Sequence, residues 1–131
     1  MANYPARSSG DQTTNYLRAP LTFAVGNAGT VQVGTLPAGC VVLRSYIIVT
    51  TAFNAGTLNQ GTIGTIAAPT ALSTTITIGV VGIIAGTPLA GATAASVAPT
   101  VDTAIIFTST STGTVSTAGV GVIVVEFCPV A

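Results

Sequence analysis

From Leu21 onward the chain is a succession of short alternating apolar and polar runs broken by small, turn-forming residues. Leu21, Phe23 and Val25 alternate with Thr22 and Ala24, the period of a half-buried strand. Gly26-Asn27-Ala28-Gly29 reads as a turn and Thr30-Val31-Gln32-Val33 alternates again, so the two runs predict a hairpin. Leu36-Pro37-Ala38-Gly39 is a second turn, with Pro supplying its fixed φ and Gly closing a type I turn. Cys40–Thr51 is the longest predicted strand. One face would hold Val41, Leu43, Ile47 and Val49, the other Val42, Arg44, Tyr46 and Ile48. Both faces are mostly apolar, which predicts an interior strand covered on both sides.

Leu58–Ile66 reads as a weaker strand interrupted by Gly61 and Gly64, and Thr75–Val80 is the cleanest alternation in the chain. Residues 86–100 are rich in Ala, Thr, Gly and Pro and predict a long surface connection. Thr103–Thr108 and Val120–Phe127 complete the set. In the last of these Ile123, Val125 and Phe127 share one face, and Val120, Val122, Val124 and Glu126 the other. The Ser/Thr run Thr108–Thr117 predicts a solvent-facing loop or edge hairpin. About eight strands with no helix indicate an all-β antiparallel sandwich or jelly roll. Thr is the commonest residue, as β-branched propensity requires.

Residues 1–19 break this pattern and carry Tyr4, Arg7, Asp11, Tyr16 and Arg18 among Ser, Thr, Gln and Asn. A segment this polar does not bury enough apolar area to fold alone. It reads either as a structureless tail or as an extended arm that orders on a neighbouring subunit, with Tyr and Arg as anchors. The division expected is therefore an arm over 1–19 and a β-sandwich over 20–131.

Charge changes the picture most. Six residues are charged, Arg7, Asp11, Arg18, Arg44, Asp102 and Glu126, with no Lys, no His and a net charge of zero. A domain of this mass exposes about 6,000 Å², so charges are spread at roughly one per 1,000 Å². Well-behaved monomer surfaces are far more charged. The mean hydropathy of +0.78 points the same way. Much of the surface is expected to be covered by partners, which predicts a homo-oligomer, with closed symmetry the usual solution. Candidate contact residues are Tyr4, Arg7, Tyr16, Arg18 and Arg44. Arg44, alone on its apolar strand, is also expected to be paired or to lay its stem on the sheet.

Three scattered arginines exclude phosphate-backbone binding, so no nucleic-acid partner is expected. The most apolar stretch, Ile76–Gly91, is too short for a spanning helix and is punctuated by Thr, Gly and Pro, so no membrane span is expected. The N-terminus has no apolar core segment, so a signal peptide is not expected either. Without a base there is no nucleophile–base pair, and the one carboxylate pairing on offer, Asp102 with Glu126, lacks supporting donors. The Gly-rich stretches lie between strands with no Lys, which excludes a phosphate loop. No catalytic, cofactor-binding or metal-ligating residue is assigned, and the chain is not expected to be an enzyme. Cys40 and Cys128 are expected as reduced thiols, with a cross-strand disulfide as the alternative.

Thr22–Gly34 (TFAVGNAGTVQVG), Thr35–Thr57 (TLPAGCVVLRSYIIVTTAFNAGT) and Thr117–Ala131 (TAGVGVIVVEFCPVA) resemble small virion proteins of tailed bacteriophages, of the head decoration or cement type. The loop after the IGT element, where that group is acidic, is here IGTIAAPTAL (Ile63–Leu72) and has no carboxylate. The resemblance implies a β-sandwich trimer on the capsid exterior, assembled in the host cytoplasm. The resemblance also implies the major capsid protein as partner and stabilisation of the shell as the role. The alternatives are another virion module (a fibre, or a receptor- or glycan-binding β domain) and a pilin-like or surface-layer subunit. Trp is absent, which counts against a glycan platform.

Overall fold

The computed structural model describes residues 14–27, 29–87 and 97–129. Its strands are β1 (Asn15–Thr22), β2 (Thr30–Leu36), β3 (Cys40–Thr51), β4 (Leu58–Thr65), β5 (Ser73–Thr77), β6 (Gly82–Ala85), β7 (Thr103–Thr112) and β8 (Val120–Pro129), with one helical turn, α1 (Phe23–Gly26), after β1. They form two four-stranded sheets, sheet A in the order β1-β8-β3-β6 and sheet B in the order β2-β7-β4-β5. The pairs nest: β1 with β8, β2 with β7, β3 with β6 and β4 with β5, all antiparallel. A long hairpin folded over on itself in this way is a jelly roll, so the expected sandwich takes that topology.

Alternation does the packing. Leu21, Ile47, Val49, Ile123, Val125 and Phe127 of sheet A meet Val33, Leu36, Ile63, Ile76, Ile105 and Phe107 of sheet B in one dry cluster. The last strand follows the predicted split: Ile123, Val125 and Phe127 point inward, while Val120, Val122, Val124 and Glu126 take the outer positions, where Val124 and Glu126 are nonetheless buried.

Several expectations are corrected. Leu21–Val25 and Thr30–Val33 are not a hairpin, because β1 and β2 lie in different sheets and Phe23–Gly26 turns helically between them. β3 has no single alternation along its length. A bulge between Val42 and Arg44 makes Cys40 a buried position in the first segment and Ser45, Ile47 and Val49 the buried positions after it. Leu43 therefore stands exposed instead of joining the core. The Ser/Thr run is neither loop nor edge over its first half: β7 runs to Thr112 between β2 and β4, and Ser109 is buried. Residues 15–19 are part of β1, paired along β8, so the expected boundary between residues 19 and 20 falls inside a strand. Residues 1–13 of the expected arm, and 88–96 of the long connection, lie outside the described residues.

Asp102 and Glu126 do not meet. Asp102 accepts the Ala38 N–H at 3.0 Å, closing the turn in which Gly39 has φ of 79°, whereas Glu126 lies in sheet A. Cys40 pairs with Pro129 and Cys128 with Val41 on adjacent strands, so neighbouring alternation sends the two thiols to opposite faces. Both are free, Cys40 buried and Cys128 half-buried. A thiol reagent should modify Cys128 in the folded protein and Cys40 only after unfolding. Mass spectrometry without reductant checks this; a single cross-linked species with no reactive thiol would contradict it.

The antiparallel order sorts the connections to two ends. α1, residues 52–57, 78–81 and 113–119 lie at one end; residues 37–39, 66–72 and the start of β1 lie at the other. No Asp, Glu, Lys or Arg occurs in any of the first group of connections.

Candidate protein interface

The outer face of sheet A brings together three of the five predicted contact residues. Pairing sets its rows. Tyr16 stands opposite Glu126, and Glu126 opposite Arg44. In the next row Arg18, Val124, Tyr46 and Ala85 follow one another across the four strands. In the third, Pro20, Val122, Ile48 and Ile83 do so. Tyr16, Arg18 and Arg44 thus share one face, because Tyr16 and Arg18 are two apart on β1 and both exposed. Tyr4 and Arg7 lie outside the described residues.

One ionic cluster sits in this face. The Arg44 guanidinium meets the Glu126 carboxylate through two hydrogen bonds, Nε to Oε2 and Nη2 to Oε1, the latter at 3.0 Å. The Tyr46 hydroxyl donates to the same Oε1 at 3.2 Å, and the guanidinium carbon lies 5.1 Å from the Tyr46 ring centroid. Arg44 thus fulfils the structural expectation of a paired charge, through a two-point contact that fixes its orientation. The hydrogen bond from Arg44 holds the Glu126 carboxyl below its ordinary range, against the opposing effect of desolvation, and Tyr46 adds to the lowering. Loss of water raises the Tyr46 hydroxyl, and the hydrogen bond to Glu126 raises it further. Glu126 accepts three donors and its residue is only 8% exposed, so its charge is spent within the chain.

Around this cluster the face is apolar and grooved. A cavity of about 300 Å³ at the β1 border is lined by Arg18, Ala19, Pro20 and Val122. A second, of about 250 Å³, lies between β3 and β6 against Arg44, Tyr46, Ile48, Ile83 and Ala85. Ile83 is 72% exposed and Tyr16 59%, large apolar surfaces on a face with few charges. Nothing in this arrangement pairs a nucleophile with a base. Among the described residues no three His, Cys, Asp or Glu gather in a metal-sized group, and no helix is long and apolar enough to cross a membrane.

Sequence reasoning missed the asparagines of the uncharged end. Asn27 donates from Nδ2 to the Ser116 carbonyl at 3.0 Å and accepts the Ser116 N–H on Oδ1 at 2.8 Å. Asn59 does the same to the backbone of Ala55, at 3.0 and 2.8 Å. Asn54 Oδ1 accepts from Ser116 Oγ and from the N–H groups of Thr117 and Ala118. The sequence signal was present as turn-type asparagines; their partners, 62 to 89 positions away for Asn54 and Asn27, were not. These bonds hold the loops that carry Val115, 67% exposed.

No protein-family model and no curated protein matches the chain in sequence. Its fold is similar to that of a chain in the acidic stable capsid structure of Helicobacter pylori bacteriophage KHP30, with a TM-score of 0.63 and 14% identity over 90% of this chain and 89% of that one. It is similar also to a chain in the cyanophage Pam1 capsid asymmetric unit, with a TM-score of 0.58 and 18% identity over 89% and 84%. At these identities the likeness is one of fold.

Proposed function

We propose that this chain is a structural subunit of a bacteriophage virion, bound to the capsid shell as a decoration or cement subunit, and that its copies associate with one another, most simply in threes. The observation that carries the reading is the outer face of sheet A: apolar, grooved and anchored by Tyr16, Arg18, Arg44 and Tyr46, with its one carboxylate already satisfied. Aromatic and arginine anchors around desolvated apolar centres are the residues that dominate protein interfaces. The fold likeness to chains of two phage capsid structures supports the choice of partner, and coverage of both chains nearly end to end supports a subunit of similar size. The segment before β1, with Tyr4 and Arg7, adds contacts to a neighbour in this reading. Nothing in the chemistry of the described residues calls for catalysis.

The test uses particles of the encoding phage made with this gene deleted. Purified protein is expected to bind them to saturation and to raise the temperature at which they release DNA. A chain lacking residues 1–13 should keep its unfolding transition and bind less well. Failure of the full chain to bind particles, or its recovery only with tail fibres, would overturn the shell assignment.

A further inference from the structure

We infer that residues 1–13 of one copy cross the outer face of sheet A in the next copy, with Tyr4 in the groove between β3 and β6 and Asp11 on Arg18. This rests on the self-association part of the reading above and names the groove and the ion pair that receive the segment.

Charge selects the segment. The chain has three carboxylate side chains, Asp11, Asp102 and Glu126. Asp102 accepts the Ala38 N–H at 3.0 Å, and Glu126 holds Arg44 and Tyr46. Arg18 stands exposed on β1 with no carboxylate beside it among the described residues, and Asp11 is the carboxylate that remains. Opposite charges brought together across a contact fix its register and reject wrong partners.

Spacing agrees with both contacts at once. Arg18, Val124, Tyr46 and Ala85 form one row, so Arg18 and the groove lie on a single line across the strands. From β1 to the gap between β3 and β6 is two and a half strand spacings, about 12 Å. Tyr4 and Asp11 are seven positions apart, and seven extended residues reach up to about 23 Å. The groove, of about 250 Å³, has Ile48, Ile83 and Ala85 as apolar walls, with Arg44 and Tyr46 as its polar lining. A tyrosine suits such a mixed site, its ring on the apolar walls and its hydroxyl among the polar groups. Pro5 restricts Tyr4 to extended backbone, which lowers the entropy lost on docking.

The direction of β1 sends the segment to another copy. β1 begins at Asn15, opposite Phe127 in the first row of its pairing with β8, so the chain before it runs off the end of sheet A. Asp11 would reach its own Arg18 only by doubling back over the exposed Tyr16 within residues 12–14. Thirteen extended residues, by contrast, reach up to about 43 Å, far enough to lie on an adjoining subunit.

The test is sedimentation velocity of full-length proteins at micromolar concentration and low salt, where an ion pair is least screened. Wild type is expected to be a concentration-dependent oligomer. Tyr4→Ala, Asp11→Arg and Arg18→Asp should each keep the unfolding transition and associate about tenfold more weakly or worse. If Arg18→Asp loses that transition, Arg18→Glu takes its place. Mixing Asp11→Arg with Arg18→Asp should restore association, because each segment then finds the opposite charge on the other protein. A chain carrying both substitutions should recover as well. Recovery in that double variant but not in the mixture would place the ion pair within one chain and overturn the exchange between copies. Single variants that associate like wild type overturn the contact while leaving self-association standing. A Tyr4→Ala protein that keeps its oligomeric state but no longer binds deleted particles overturns it in favour of a shell contact. A wild type that is monomeric at every concentration overturns both this and the self-association from which it starts.

Discussion

Replacing Gly61 with alanine is expected to destabilise the protein by about 3 kcal/mol, although alanine loses less backbone entropy than glycine in a strand. Gly61 lies in β4, an interior strand, opposite Ser109 of β7 and Ile76 of β5. A Cβ there would overlap the Cε2 and Cζ atoms of the Phe107 ring and come within 3.0 Å of the Thr108 carbonyl oxygen. Phe107 is fully buried, enclosed by the core that joins the two sheets, so its ring has no free volume to retreat into. The substitution therefore forces β4 away from β7 or drives the ring off its rotamer. Phe107→Leu alone should cost about 1–2 kcal/mol through the space it leaves. Combined with Gly61→Ala it should cost less than the sum, by about 1–2 kcal/mol, because the smaller side chain vacates the volume the new methyl needs. Urea unfolding of the four proteins checks the cycle. A Gly61→Ala protein as stable as wild type would show that the glycine serves only strand flexibility.

That glycine shows where sequence reading reaches its limit. Read along the chain, Gly61 and Gly64 mark a weak strand; in three dimensions Gly61 is the hollow that admits the fully buried ring of Phe107. Strand identity and facing were legible wherever alternation was unbroken, as in Val120–Phe127, because period two follows directly from the pleat. The same rule failed at Val42–Arg44, since a bulge adds one residue and reverses which positions face the core. Ser109 was misplaced for a related reason. A small hydroxyl side chain fits an interior strand when its neighbours supply the apolar volume, and Ile105 and Phe107 do so on the same face of β7. β6 was not singled out, because its four residues merge in sequence with the apolar run that precedes them.

The candidate interface was legible as residue types but not as a surface. Tyr16 and Arg18 stood in a polar segment that gave no reason to assign them to a strand, and Arg44 lay in a different one. Only the nesting of β1 on β8 and β8 on β3 puts them on common ground. Glu126 completes that ground by neutralising Arg44 within the chain. In the proposed interface this leaves contact to shape and apolar area, with Arg18 as the other charged side chain of the face.

Asn27→Ala is expected to cost about 2–4 kcal/mol. Asn27 follows α1 at the uncharged end and offers its amide to both backbone groups of Ser116, donating at 3.0 Å and accepting at 2.8 Å. Ser116 is only 2% exposed, so water has little access to the groups that alanine would abandon. Each buried backbone group left without a partner costs about 1–3 kcal/mol, which is why the loss of one side chain exceeds an ordinary surface effect. Asn27→Asp separates the two bonds: it keeps the acceptor for the Ser116 N–H but turns an ionised oxygen toward the Ser116 carbonyl, where the amide had donated. It should therefore remain destabilised at neutral pH and recover as the pH falls and the carboxyl gains a proton to donate. The decisive measurement is the urea midpoint of the three proteins at pH 7 and pH 4, read together with hydrogen exchange in residues 113–119. Asn27→Ala should exchange these amides fastest, because the loop that carries Val115 then keeps only Asn54, through Ser116, Thr117 and Ala118, and the Gly56 N–H on the Thr114 carbonyl among the contacts described for it. An alanine protein with an unchanged midpoint and unchanged exchange would mean that the strands flanking the loop hold it without this clamp.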